Sequence, residues 1–192
     1  MEIRRAQRAD ALAIATVHVR SWQAAYRGLL LQSYLDDLEP RRRLAQWETV
    51  LDATDWPSTG TLVLVDVPDA SLIATGLDSE IDGASPPGVV AGFASISPSR
   101  DDDRDPTSVG ELQTLYLDPR SWRRGGGSAL LAAAQEELGR AGFRSASAWV
   151  LETNARARHF YEGHGWRVDG ATKPHDWGSF VVTDVRYQVR LT

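Results

Sequence analysis

The chain has 192 residues, 42% of them hydrophobic, which is enough to bury the core of one domain spanning residues 1–192. It contains no cysteine, and its four histidines lack a spacing typical of metal ligands, so we expect neither disulfides nor a bound metal. A formal net charge of −5 argues against a nucleic-acid partner, and we expect a cytoplasmic protein without a membrane partner, because no signal peptide and no apolar run of about 18 residues is found.

The N-terminal segment is predicted to be mainly helical after a short first strand over residues 1–6. Apolar side chains recur at three- and four-residue spacing over Leu12–Gln23, and Asp10 stands where an N-cap residue is expected. This helix ends in the aromatic and basic stretch Ser21–Gly28, whose glycine fits a helix C-cap. A second amphipathic helix is predicted after Pro40.

Two strands follow, over Thr61–Val67 and Val89–Ser97, because both segments are rich in β-branched and other apolar residues. The segment between them, residues 68–87, shows little periodicity and is longer than a hairpin needs, so we predict an exposed loop insertion. The acidic run Asp101–Asp105 is interpreted as a solvated loop between strands.

The central stretch combines a strand, a glycine loop and a helix. The strand covers Glu111–Leu117, the loop contains Gly125–Gly127, and the helix is predicted to open at Ser128. A helix N-terminus has unpaired backbone N–H groups and partial positive charge, and Arg123 and Arg124 add cations beside it. This pattern indicates an anion-binding site.

The glycine loop differs from two common phosphate-binding loops. A Walker A loop ends in Gly-Lys-Ser/Thr, whereas Gly127 is followed by Ser128 and Ala129. A dinucleotide fingerprint needs a third glycine where this chain has Leu130. A purely structural tight turn stays open on this segment alone.

A second segment follows the first. Ser145–Leu151 is predicted to be a buried strand, and the next helix places Ala157, Phe160 and Tyr161 on one face. Two closing strands are predicted over Trp166–Ala171 and Ser179–Leu191, joined by a loop over residues 172–178.

Together, the two segments resemble the GCN5-related N-acetyltransferase (GNAT) family. The first shares a strand ending in Asp118-Pro119 and a glycine loop that leads into a helix with Leu130-Leu131. The second shares an asparagine, Asn154, followed by the pattern A-x-x-F-Y-E-x-x-G over residues 157–165. The resemblance covers Glu111–Trp166, with a tryptophan at position 122, where the family prefers Gln or Arg, and at position 166, where it prefers Phe.

The resemblance implies an α/β (α+β) fold with a mixed, mostly antiparallel sheet of six to seven strands and flanking helices. Strands 4 and 5 would splay apart and acetyl-CoA, the acyl-donor cosubstrate, would lie in the gap. The residues that it implies as cofactor-binding are Leu115, Tyr116, Leu117, Arg123, Arg124, Gly125, Gly126, Gly127, Ser128, Asn154 and Phe160. Asn154 would serve also as a helix N-cap.

The resemblance also implies the chemistry. Transfer needs a neutral amine, and deprotonating an alkylamine with a pKa of ~10.4 costs roughly 4–5 kcal/mol at pH 7. Glu111 is the implied base, with a water chain as the alternative, and Tyr161 is placed to hydrogen-bond the thiolate leaving group. A backbone N–H near Leu117 is the implied donor to the developing oxyanion. We expect direct transfer without a covalent enzyme intermediate.

The acceptor is a primary amine of a small molecule or peptide, which these motifs do not specify. We expect it near Trp22, Tyr26, Tyr34 and His175, although core packing is an alternative for the aromatic residues. Aromatic and arginine residues would favour a flat or anionic acceptor, whereas acidic loops would favour a polyamine, aminoglycoside or protein amine. The Ser21–Gly28 stretch resembles the same region in bacterial members of the family and specifies no substrate.

Two other classes of protein share these motifs with an enzyme. One is a non-catalytic acyl-CoA-binding sensor, and the other is an interaction module that uses residues 68–87 or a sheet edge. Glu111 and Tyr161 favour the enzyme, and a homodimer is compatible with all three.

Overall fold

The computed structural model describes residues 1–66, 88–176 and 180–191. Its helices are α1 (Ala11–Ala25), α2 (Gln32–Asp36), α3 (Pro40–Asp52), α4 (Gly126–Arg140) and α5 (Ala155–Gly163). Its strands are β1 (Glu2–Arg5), β2 (Gly60–Asp66), β3 (Val89–Pro98), β4 (Val109–Leu117), β5 (Ser145–Leu151), β6 (Arg167–Asp176) and β7 (Val181–Arg190). The predicted insertion over residues 68–87 lies outside the described residues.

In the described chain, the strands form one seven-stranded sheet with the order β1-β2-β3-β4-β5-β7-β6. Neighbouring strands are antiparallel except β4 and β5, which are parallel. A parallel pair needs a crossover connection, and α4 supplies it between these two strands. The predicted mixed, mostly antiparallel sheet of six to seven strands with flanking helices is therefore confirmed.

The alternation of side chains along β2 explains why helices cover both faces of the sheet. Leu62 and Leu64 point to one face and pack in a cluster with α4 side chains such as Leu130. Val63 and Val65 point to the other face and pack with α1 and α3. Each such side chain contributes about 1.5–3 kcal/mol when it is fully buried, so the pattern holds a helical layer on each side.

The parallel strands β4 and β5 are paired only at their beginnings. Within the described residues, their pairing joins Val109–Glu111 to Ser145–Ser147. Beyond this point β4 continues against β3 as far as Leu117, and β5 continues against β7 as far as Leu151. The two strands therefore diverge along the rest of their length.

The hairpin of β6 and β7 corrects one expectation. Residues 172–178 are predicted to form a loop, but β6 continues through Asp176. Because β6 lies at the edge of the sheet, it tolerates Pro174, whose missing N–H can face away from the neighbouring strand.

Neither a membrane-spanning helix nor a metal cluster is found in the described ranges. No helix there has both the length and the apolar character needed to cross a bilayer. The same ranges contain no group of three or more histidine, aspartate or glutamate side chains arranged to hold a metal ion.

Candidate active site

A cleft opens where β4 and β5 diverge. It encloses about 410 Å³ and is bounded by both strands, the start of α4, α5 and the C-terminal end of α1. In the described chain, no strand pairs with the edge of Leu112–Leu117 that faces β5. Backbone N–H and C=O groups on that edge can therefore bind an extended, peptide-like group as a strand would.

The start of α4 is open to the cleft. Gly125 is the N-cap residue with φ of 82°, a left-handed conformation that glycine adopts without steric cost. No side chain caps this end, so the first N–H groups of the helix suit an anion. A Cβ added to Gly126 would lie 2.6 Å from Cδ2 of Leu64, so the glycine lets the first turn pack closely on β2. The helix begins at Gly126, two residues before the predicted start.

Arginine side chains flank this helix end. Arg123 lines the cleft, whereas Arg124 does not, and Nη1 of Arg124 is 3.8 Å from a carboxylate oxygen of Asp66. Arg156 of α5, which the sequence analysis missed, also lines the cleft, with its guanidinium carbon 3.7 Å from the centre of the Trp122 ring. Burial, and then the charge of Arg123, lowers the pKa of Arg156. Two cations that disfavour each other at a helix N-terminus are stabilised when an anion binds nearby.

The walls of the cleft contain most of the residues that were predicted to bind the cofactor. Those that line it are Leu115, Tyr116, Leu117, Arg123, Gly125, Gly127, Ser128, Asn154 and Phe160. Gly126 and Arg124 lie outside the lining. Oδ1 of Asn154 accepts a hydrogen bond from the Ala157 N–H at 3.1 Å, so this residue caps α5 and also faces the cleft.

Tyr161 also lines the cleft, and it is only 8% exposed. Its ring lies against Tyr187 and Trp166, with ring centres 5.8 and 5.4 Å away. Burial raises the pKa of Tyr161, and its electrostatic interaction with Tyr116 raises it further. The phenol therefore stays protonated at neutral pH and can donate a hydrogen bond.

The structure does not bring Glu111 into the cleft lining. Glu111 is 3% exposed. Its carboxylate accepts three hydrogen bonds from Arg100: from Nη2 at 2.7 Å, from Nε at 3.1 Å and from the backbone N–H at 3.2 Å. Hydrogen bonding to Glu111 raises the pKa of Arg100, so the guanidinium stays charged and holds the Glu111 side chain.

Of the four residues predicted to contact the acceptor, Tyr26 lies in the cleft lining and the other three lie outside it. Tyr26 lines the cleft, and its hydroxyl is 3.4 Å from that of Tyr116. Trp22 and Tyr34 belong to an aromatic cluster beside it and do not line the cleft. His175 also lies outside the lining, with Nδ1 3.1 Å from Oδ2 of Asp184.

Trp149 of β5 is a second cleft residue that the sequence analysis missed. Its indole N–H donates to Asp101 at 3.0 Å, and the ammonium of Lys173 is 4.0 Å from its ring centre. Both contacts come from segments distant in sequence, so they fix the ring relative to the sheet.

The acetyltransferase (GNAT) family model matches residues 25–166, which is most of the chain. The chain therefore belongs to the acetyltransferase (GNAT) family and is an acetyl-CoA-dependent acetyltransferase. This confirms the family and the enzyme class predicted from Glu111–Trp166.

The chain is similar to the uncharacterised N-acetyltransferase YuaI of Bacillus subtilis, with 30% identity over 152 residues that cover 79% of this chain and 72% of the relative. Among solved structures, it resembles the PaiA N-acetyltransferase of Thermoplasma acidophilum in complex with coenzyme A, at 18% identity and a TM-score of 0.64 over 98% of both chains. It also resembles YncA of Salmonella typhimurium with acetyl-CoA, at 23% identity and a TM-score of 0.64, covering 100% of this chain and 94% of the other. At these identities the two structures support the fold alone.

Proposed function

We propose that the protein is an N-acetyltransferase that moves an acetyl group directly from acetyl-CoA to a primary amine of a small molecule or peptide. The observation that carries this proposal is the continuity of one cleft from the uncapped N-terminus of α4 to the buried phenol of Tyr161. The cleft has an anion site at one end and a hydrogen-bonding phenol at the other. These two features suit a long acyl donor that carries a phosphate group and a reactive thioester.

The lining residues fit acetyl-CoA, which supplies an activated acetyl group. The N–H groups of Gly126–Ser128, together with Arg123 and Arg156, would bind the pyrophosphate. The unpaired edge of Leu115–Leu117 would bind the peptide-like pantetheine arm.

Tyr161 would stabilise the leaving thiolate by donating a hydrogen bond. Proton transfer from a phenol of pKa ~10 to a thiolate whose conjugate acid is near ~8.5 is uphill by about 2 kcal/mol in water, so a strengthening hydrogen bond is favoured over early proton transfer. The chain has no cysteine to act as an acyl carrier, which supports direct attack by the amine.

Removing a cationic side chain beside the N-terminus of α4 should weaken the binding of CoA. We expect Arg156→Gln and Arg123→Gln each to raise the Kd for CoA about tenfold, because each loses a charge-assisted hydrogen bond worth about 1.5 kcal/mol. Calorimetric titration with CoA measures this directly. Arg41→Gln, an exposed position on α3, is the matched control and should leave the Kd unchanged. Equal Kd values for all three variants would contradict the assignment.

Glu111 is proposed as the base acting through an intervening water, because its carboxylate does not line the cleft. We expect Glu111→Gln to lower kcat/KM about tenfold and to remove the alkaline-rising limb of its pH profile. If the rising limb persists and only the unfolding temperature falls, the contact with Arg100 is the whole role of Glu111.

A thiol-release screen with acetyl-CoA tests the function as a whole. Free CoA should appear only when an acceptor amine is present, and mass spectrometry should show the amine heavier by one acetyl group. If the protein binds CoA but no amine panel releases thiol, it is a binding protein rather than an enzyme.

A further inference from the structure

Apart from the residues at the start of α4 and in α5, much of the described lining of the cleft is aromatic or uncharged and polar. This part includes Ser21, Ala25, Tyr26, Thr114, Tyr116 and Trp149. Burial raises the pKa of both Tyr26 and Tyr116, so both phenols are neutral at physiological pH. We refer to these six residues as the acceptor end of the cleft.

The charged side chains in the described lining of the cleft lie beside the start of α4. Among the described residues that line the cleft, the charged ones are Arg123 and Arg156, both beside the start of α4. The nearby carboxylates already have partners: Asp101 accepts from the Trp149 indole and from Nη1 of Arg186, each at 3.0 Å, Oδ2 of Asp184 lies 3.1 Å from Nδ1 of His175, and Glu111 is held by Arg100. The described lining therefore offers no carboxylate to a cationic acceptor.

Two cationic side chains already lie near the ring of Trp149. Besides Lys173 at 4.0 Å, the guanidinium carbon of Arg186 lies 5.4 Å from the ring centre. A further ammonium group placed over this ring would meet two cations, and the Asp101 carboxylate at the indole N–H is already bound to Arg186. An acceptor with several ammonium groups would have to leave water for a site without carboxylates, which is costly.

We infer that the acceptor is a primary monoamine with an aromatic or similarly apolar body, an arylalkylamine in chemical class; this rests on the proposed N-acetyltransferase function. Its apolar body packs against Tyr26 and Trp149, while its nitrogen lies toward Tyr161. The amine nitrogen forms the amide bond as the thioester C–S bond breaks, and one proton passes from the nitrogen, directly or through water, to the released thiol. Polyamines and aminoglycosides fit this end poorly.

Comparison of four acceptors by thiol release tests the inference. We expect kcat/KM for 2-phenylethylamine and tyramine to exceed that for spermidine and kanamycin about a hundredfold. A preference for spermidine or kanamycin would overturn the acceptor class while leaving the N-acetyltransferase function intact. Failure of all four, while another amine of the full screen releases thiol, would overturn the acceptor class alone; failure of every amine in that screen, with CoA still bound, would overturn the proposed function itself.

A pair of variants locates the acceptor on the protein. Tyr26→Ala removes the ring, and we expect it to raise the KM for 2-phenylethylamine about tenfold with the Kd for CoA unchanged. Tyr26→Phe keeps the ring and should stay within about threefold of the unchanged protein. An unchanged KM in Tyr26→Ala would overturn this placement, and the retained Kd for CoA shows that the variant is folded.

Discussion

Replacing Tyr161 with phenylalanine should lower kcat about a hundredfold, with little change in the Kd for CoA. The phenol is the buried donor in the cleft that we assign to the leaving thiolate, and losing one such donor typically costs 10²–10³ in kcat. Phenylalanine preserves the ring and its packing against Tyr187 and Trp166. Steady-state thiol release gives kcat, and calorimetry gives the Kd.

The pH dependence of this effect has a definite sign. Burial raises the pKa of Tyr161 above the ordinary value of ~10, so the phenol keeps its proton throughout pH 7–10. The ratio of kcat between the unchanged protein and Tyr161→Phe should therefore be constant over this range. A ratio that falls towards one as the pH approaches 10 would contradict a buried, protonated donor.

Tyr187→Phe is the matched control for this substitution. Its hydroxyl donates to Glu162 at 2.7 Å, and its ring stacks on that of Tyr161, but it does not line the cleft. We expect a change in kcat of less than about threefold. If both variants lost activity equally, the effect of Tyr161→Phe would come from packing and not from chemistry.

Much of the fold follows from local pattern. The apolar run Thr61–Val67 predicts a strand, and the glycine loop Gly125–Gly127 predicts the turn into α4, where Gly125 adopts a left-handed conformation that glycine reaches easily. The divergence of β4 and β5 has no such local signal, since it depends on which neighbour each strand pairs with. That feature came from the family resemblance.

The missed cleft residues differ in what the sequence could reveal. In the strand Ser145–Leu151, side chains alternate between the two faces, so Trp149 lies on the face opposite Ala148 and Val150. Its position outside the hydrophobic cluster that contains those two residues was therefore predictable. Arg156 lies two residues after Asn154, but its approach to Trp122 depends on how α5 packs. Glu111 was placed on the correct strand, whereas its pairing with Arg100 depends on the path of the chain between β3 and β4.

The acidic run shows what a local pattern leaves out. The side chain of Asp103 is 62% exposed, in line with the predicted solvated loop, whereas that of Asp101 is 13% exposed. Both bind Arg186 of β7, which is 3% exposed and also bonds to Asp169. Contacts between residues this far apart in sequence leave no periodic signal. Local charge patterning therefore identified the loop but not its partner.

Arg186→Met should lower the free energy of unfolding by about 3 kcal/mol, because the side chains of Asp101 and Asp169, which are 13% and 6% exposed, lose a charged partner. Urea unfolding measures this loss. Arg190→Met, an exposed position on the same strand, is the control and should change it by less than about 0.5 kcal/mol. Equal stability of the two variants would show that the network contributes nothing to folding.

The loss should also depend on pH. Hydrogen bonding to Arg186 lowers the pKa of Asp103 to about 2. Burial alone would raise the pKa of Asp169, but hydrogen bonds from the Ala171 N–H and from Arg186 hold this pKa below its usual value. Carboxylates with a lowered folded pKa stabilise the fold above their unfolded pKa of ~3.9 and lose this contribution as the pH falls. The difference between the unchanged protein and Arg186→Met should therefore shrink from pH 4 to pH 2.

The same substitution connects stability to the acceptor end of the cleft. Arg186 holds Asp101, and Asp101 holds the indole N–H of Trp149, so loss of the arginine should loosen that ring. The bonds at the start of α4 do not involve this network. We therefore expect Arg186→Met, assayed well below its unfolding temperature, to raise the KM for the acceptor amine several-fold while the Kd for CoA stays unchanged. A parallel rise in both constants would mean that the network supports the whole cleft and not the acceptor end alone.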